Sequence, residues 1–156
     1  MYFLIVETIS TRAPIAIALN TTKEPMKTIN NRNDVVKLVN AFYSKVRKDD
    51  LLGPIFNKNI LENQWPEHLD KLTDFWETNL FGVAKFKGNP TKKHINVDKT
   101  ENYTVESKHF GVWLRLWFET IDQLFEGELA LKAKQSARKM GTGQYLAIWN
   151  NRPENR

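Results

Sequence analysis

Apolar residues return every three or four positions through four separate stretches of this chain. That period restricts its fold, more than any other feature, to packed helices. Val35, Val36, Leu38, Val39, Phe42 and Val46 mark the first stretch, with Asn33 or Asp34 placed to cap its N-terminus. Leu51-Leu52-Gly53-Pro54 ends that helix and turns the chain, since glycine and proline both interrupt helical hydrogen bonding. A second helix is predicted from near Pro66, a residue tolerated in a first helical turn. It carries Leu69, Leu72, Trp76 and Leu80 on one stripe, with Phe75 beside it. Gly82 to Pro90 reads as a loop, and Thr91–Ile95 as at most a short helix. A third helix is predicted from about Val105 to Phe125, where Phe110, Trp113, Leu114, Trp117, Ile121, Leu124 and Phe125 form a broad apolar face. The fourth, near Glu128 to Trp149, carries Leu129, Ala133, Ala137 and Met140. Gly141-Thr142-Gly143 are expected to weaken or kink it. With no strand-like alternation or repeat, the chain reads as all-α.

A length of 156 residues suits one domain with one core. Residues 1–25 stand apart from the rest. Their two short apolar runs, Met1–Val6 and Ala13–Leu19, are interrupted by Glu7, Arg12 and Pro14 and lack a positive leading segment. Neither a signal peptide nor a membrane helix is therefore expected. These residues read as a disordered tail or a misplaced start, with the folded domain at 26–150 and a C-terminal tail at 151–156. Arg12 and Lys23 balance Glu7 and Glu24, so the net charge of +5 lies beyond residue 25. The cations are interleaved with acids, as along Lys45–Asp50. Only Lys92–Lys93 and Arg138–Lys139 are doublets without an adjacent acid. A solvated basic surface with no nucleic-acid partner is the expected reading.

The absence of cysteine excludes disulfides, thiolate nucleophiles, iron–sulfur clusters and cysteine-based zinc sites. No phosphate-cradling glycine loop, zinc-protease helix or nucleophile elbow is present. A metal would have to be held by histidine, carboxylate, tyrosine or methionine, and the histidines are His68, His94 and His109. His94 closes Pro90-Thr91-Lys92-Lys93-His94. Taken alone, such a residue is more often a surface or capping group than a ligand. The ligand reading requires a neutral imidazole aimed from one side of a cavity, with its other nitrogen on an acceptor such as a backbone carbonyl. His68 shares a helix face with Leu72 and Trp76. It is either a locally satisfied, partly buried histidine or a side chain over a pocket. His109 reads as a helix-start residue, and Trp113 with Trp117 first as core.

Certain segments, taken in order, carry a family resemblance. They are Ala41-Phe42-Tyr43-Ser44-Lys45-Val46-Arg47, Leu52-Gly53-Pro54-Ile55-Phe56 and Trp65-Pro66-Glu67-His68, followed by Phe75-Trp76, Gly88-Asn89-Pro90 and Lys93-His94. Phe110-x-x-Trp113-Leu114-x-Leu116 and Thr120-x-Asp122-x-x-Phe125-x-Gly127 complete the set. Together they resemble the group III truncated haemoglobins from Met26 to Leu146. The chain also lacks the glycine motifs of other truncated globins, as that group does. Its stretch from Ile95 to Lys108 is longer and more polar than the family pattern.

The resemblance implies a compact helical sandwich, a truncated globin fold, around haem b. His94 matches the proximal iron ligand. Tyr43, His68 and Trp113 match the distal residues that stabilise a bound ligand. Phe56 matches the phenylalanine on the haem face, and Leu72 and Trp76 fall where they would line the cavity. Lys92 and Lys93 lie near enough in sequence to meet the haem propionates. The implied ligands are the diatomic gases O₂, NO and CO, in a cytoplasmic monomer. The implied chemistry is O₂ or NO conversion, as in NO dioxygenation and detoxification or peroxide-type turnover, with a reductase as electron donor. Oxygen transport or sensing without turnover is the alternative. A cofactor-free basic helical interaction module, with His94 and Tyr43 merely structural, is the remaining one.

Overall fold

The computed structural model describes residues 25–153, so the expectation for the first 25 residues lies, Pro25 aside, outside the described residues. Six α-helices dominate: α1 (Arg32–Val46), α2 (Gly53–Asn59), α3 (Trp65–Phe81), α4 (Pro90–Thr100), α5 (Ser107–Leu124) and α6 (Glu128–Asn150). A 3₁₀ turn, Glu62–Gln64, leads into α3. The expected absence of strands fails at one small place. β1 (Lys27–Thr28) pairs in parallel with β2 (Phe125–Glu126), tying the start of the domain to the α5–α6 turn.

Helix α1 begins earlier than its periodicity suggests. Asn31, not Asn33 or Asp34, is the cap, its side-chain oxygen accepting the Asp34 N–H at 3.1 Å. Asp34 is instead buried, where its carboxylate takes the Lys27 ammonium at 2.6 Å and the Asn30 N–H at 2.9 Å. After Val46 the chain turns on Asp49, which accepts the N–H groups of Leu51 and Leu52 at 2.9 Å each. Gly53-Pro54 then opens α2, a helix that the sequence reading passed over as a turn. A Cβ at Gly53 would stand 2.7 Å from the Arg47 carbonyl oxygen, so α2 can start this close to the end of α1 only on glycine.

Two further corrections concern α4 and α6. The element carrying His94 is not a short turn but an eleven-residue helix, capped by the Asn89 side chain at the Lys92 N–H, 2.9 Å away. Helix α6 runs unbroken through Gly141-Thr142-Gly143. Gly141 is buried against Leu114 and Phe110 of α5, so packing offsets the weak helix preference of glycine.

Trp117 is the hub of the core. Its ring stacks on Trp76 of α3 at 4.3 Å and meets Phe42 of α1 edge-on at 4.9 Å. Its indole N–H donates to the Ala133 carbonyl of α6 at 3.2 Å. Four helices therefore converge on one fully buried side chain. Burial of each such ring contributes roughly 2–3 kcal/mol before entropy is counted. At the rim, Arg32 holds α1 to α3 through Asp70, Asp74 and Glu77 at 2.5–2.6 Å, and Glu77 also takes Lys85 at 2.9 Å.

Candidate functional site

The start of α4 fixes the ring nitrogens of His94. Nδ1 of His94 lies 2.7 Å from the carbonyl oxygen of Pro90, one helical turn earlier. A carbonyl only accepts, so the proton sits on Nδ1 and the lone pair is left on Nε2. The ring remains reachable from solvent. Crowding by the surrounding protein nevertheless pulls its pKa below the ordinary value, against the opposing pull of the Pro90 bond. The effect of burial is the larger, which leaves a neutral imidazole with a free nitrogen. Phe110 of α5 lies beside it, the ring centres 6.2 Å apart and tilted by 31°. Tyr145 of α6 packs behind Phe110 at 5.8 Å.

A second cluster gathers Tyr43, Phe56, His68 and Trp113. The Tyr43 ring is buried, 5.9 Å from both Phe56 and His68 and 6.0 Å from Trp65. Burial raises the Tyr43 pKa far above its usual value, and a hydrogen-bonding influence from Trp113 offsets this only in part. The phenol is therefore a neutral O–H donor. His68 sits half-buried between Tyr43 and Trp65. Burial first, then the charges of Lys93 and Lys71, push its pKa down to about 4, so it too is neutral at pH 7.

Helix α5 joins the two clusters. Phe110 and Trp113 are three residues apart, so they lie on one face about one turn from each other. Phe110 meets His94, and Trp113 meets Tyr43. Lys93, next to His94, also acts electrostatically on Glu67, which is bonded to Lys71, and on His68. The start of α4 is thus within electrostatic reach of the start of α3.

Of the residues singled out in the sequence, Tyr43, Phe56, His68 and Trp113 are brought together and His94 stands apart on α4. Leu72 is half-buried one turn beyond His68 and packs against the core. Trp76 is only 2% exposed and stacks on Trp117, so it backs the site from the core. His109 acts as expected at a helix start, its Nδ1 accepting the Glu106 N–H at 2.9 Å. Sequence reasoning gave no site role to Phe110, which it placed in the core face, or to Trp65, which lies under the Arg47 guanidinium at 4.5 Å.

These residues fit a flat, apolar, metal-bearing group. Among the described residues no group of three or more His, Asp or Glu side chains could hold a bare metal ion. A single imidazole suits a metal whose other ligands come with a macrocycle. Two open depressions between α1 and α3 share Asn40, Arg47, Glu62 and Leu69, and one borders Tyr43. Neither includes His94.

The six-helix arrangement is that of a truncated globin. The chain is 33% identical over 114 residues to the Group 3 truncated hemoglobin ctb of Campylobacter jejuni, spanning 72% of this chain and 86% of that protein. The crystal structure of the group III truncated hemoglobin from Campylobacter jejuni superimposes with a TM-score of 0.71 at 30% identity. It covers 83% of this chain and all of that one. No family model matches the chain. The chain belongs to the group III truncated haemoglobins. No helix among the described residues is long and apolar enough to cross a membrane.

Proposed function

We propose that this chain binds haem b through Nε2 of His94 and holds a diatomic gas, O₂ foremost, with NO and CO as further ligands, beside Tyr43, His68 and Trp113. The observation that carries this reading is the Nδ1–Pro90 contact at 2.7 Å, which leaves Nε2 of a neutral imidazole free to hold an iron. When bound, haem supplies an iron centre with one open coordination position and the capacity for one-electron chemistry. The chain supplies the rest. Tyr43 and Trp113 present an O–H and an N–H where partial negative charge develops on a bound gas, while their ring bodies keep the space apolar. Neutral His68 adds a third polar group at the α3 side. Phe56 and Leu72 provide apolar walls, and Trp76 supports them from behind. Lys92 and Lys93, both exposed, are suited to the acidic edge of the haem.

A Soret band in the purified protein, lost or displaced in His94→Ala, tests this reading. An unchanged spectrum in that variant would remove His94 from the iron, and a colourless protein would favour the cofactor-free interaction module.

Three polar side chains at one position restrain gas release, which favours turnover over carriage. NO dioxygenation or peroxide-type chemistry, with electrons from a reductase, is therefore the preferred second reading, ahead of O₂ transport or sensing. NO-dependent O₂ consumption in the presence of a reductant distinguishes these uses.

A further inference from the structure

Helix α4 is anchored unlike the other long helices. Where α1 and α5 bury apolar stripes, the one buried side chain of α4 is a carboxylate, Asp98, 2% exposed. Ile95 and Val97 are only half-buried. Asp98 receives Arg152 in a two-point contact, Nε to Oδ2 at 3.0 Å and an Nη to Oδ1 at 2.9 Å. It also accepts the Val105 N–H at 3.1 Å, and the same guanidinium donates to the Val105 carbonyl at 2.5 Å. The sequence reading placed Arg152 in a tail, yet its side chain is 12% exposed and closes a knot of α4, the α4–α5 turn and the end of α6.

The turn inside that knot is strained. Asn102 and Tyr103 both adopt left-handed backbone, with φ of 56° and 62°, a conformation that costs side-chain-bearing residues energy. The Val105 N–H bond to the Asp98 carboxylate and the Tyr103 N–H bond to the Asp98 carbonyl, 2.7 Å, hold the strained turn against α4. His94 lies four residues before Asp98, one turn away on the same face of the same helix. A rotation or tilt of α4 at Asp98 therefore moves the His94 ring directly.

We propose that Asp98 and Arg152 are positioning residues for the His94 ligand: their two-point ion pair fixes the roll and tilt of α4 and so aims Nε2. The inference rests on the haem reading above. Neither residue touches the gas or the iron. Removal of either partner leaves the other charge buried and unpaired, which is costly locally. Lysine at 152 keeps the charge but lacks the planar fork that makes two parallel bonds.

The test uses the full chain, with haem loaded and iron ferrous, as Arg152→Gln, Arg152→Lys and Asp98→Asn. Val39→Ala, in the core stripe of α1, serves as a control for plain loss of stability. Amide exchange in 95–100 is expected to rise by about tenfold or more in Arg152→Gln and Asp98→Asn, with α1 unaffected. The iron–histidine stretching band is expected to shift or broaden in both, and less in Arg152→Lys. Val39→Ala is expected to lower Tm while leaving the band and the α4 exchange in place. A band at the wild-type position in Arg152→Gln overturns the proposal, whether or not α4 loosens. If Arg152→Gln does not fold, the same judgement falls on Arg152→Lys. A wild-type chain with no Soret band instead overturns the haem reading, an outcome visible before any variant is made.

Discussion

The Nδ1 nitrogen of His94 and the carbonyl oxygen of Pro90 are 2.7 Å apart, a contact that decides which nitrogen of the imidazole remains available. Proline contributes in two ways. It starts α4 cleanly, because its missing N–H would be unpaired there anyway, and its carbonyl holds the ring one turn later. Asn89, which caps the same helix, locks the approach.

His94→Gly should therefore lose the native haem spectrum. Added imidazole should restore it, since free imidazole can enter the space vacated by the side chain. The Soret region, followed against imidazole concentration, checks this. Failure of imidazole to restore any native feature would argue that the haem is not held at this position.

Tyr43→Phe removes a buried O–H while leaving the ring contacts with Phe56 and His68 in place. A neutral hydrogen bond is worth about 1 kcal/mol net, so O₂ release should speed up by about fivefold. CO, which carries less negative charge, should respond less. Stopped-flow displacement of each gas gives both rates, and equal rates in variant and wild type would discount Tyr43 as a donor.

The gathering of Tyr43, Phe56, His68 and Trp113 was legible because each stood in an ordered set of short motifs, and the helices because apolar residues kept their period. Where the chain departs from that period, the reading failed for identifiable reasons. Helix α4 was underestimated because it buries Asp98 in place of an apolar stripe. Helix α2 was missed because Gly53-Pro54, read as a stop, is also a permissible start. The Asp98–Arg152 pair joins residues 54 positions apart, and nothing local to either marks it as buried. Trp76 looked equivalent to Leu72 on a helical stripe, but its ring is turned into the stack with Trp117.

The depressed pKa of His68, about 4 against an ordinary 6.5, makes stability depend on pH in a defined sense. Above pH 6.5 the residue is neutral whether folded or unfolded. As pH falls from 6.5 towards 4, the unfolded chain takes up a proton that the folded one refuses, and stability is lost across that window. The loss levels off below pH 4. His94, shifted the same way, adds to the slope. Urea unfolding of the haem-free chain at several pH values should show this loss, and His68→Gln should flatten it without abolishing it. An unaltered slope in His68→Gln would mean that the ring is not desolvated as the structure places it.

Gly53 and Gly141 should respond in opposite directions to the same substitution. At Gly53 an alanine methyl would stand 2.7 Å from the Arg47 carbonyl, and backbone cannot swing aside as a side-chain tip can. Gly53→Ala should cost roughly 1–3 kcal/mol, as overpacking at a tight contact does. At Gly141 the added methyl would meet Leu114 at 3.7 Å, an ordinary contact, within a helix whose unfolded chain loses freedom when glycine is replaced. Gly141→Ala should therefore stabilise by about 0.5–1 kcal/mol. Denaturant midpoints of the two variants, measured side by side, decide the matter. Destabilisation by Gly141→Ala would show that α5 and α6 pack more tightly there than a 3.7 Å contact implies, and a neutral Gly53→Ala would show that α2 can withdraw from the end of α1.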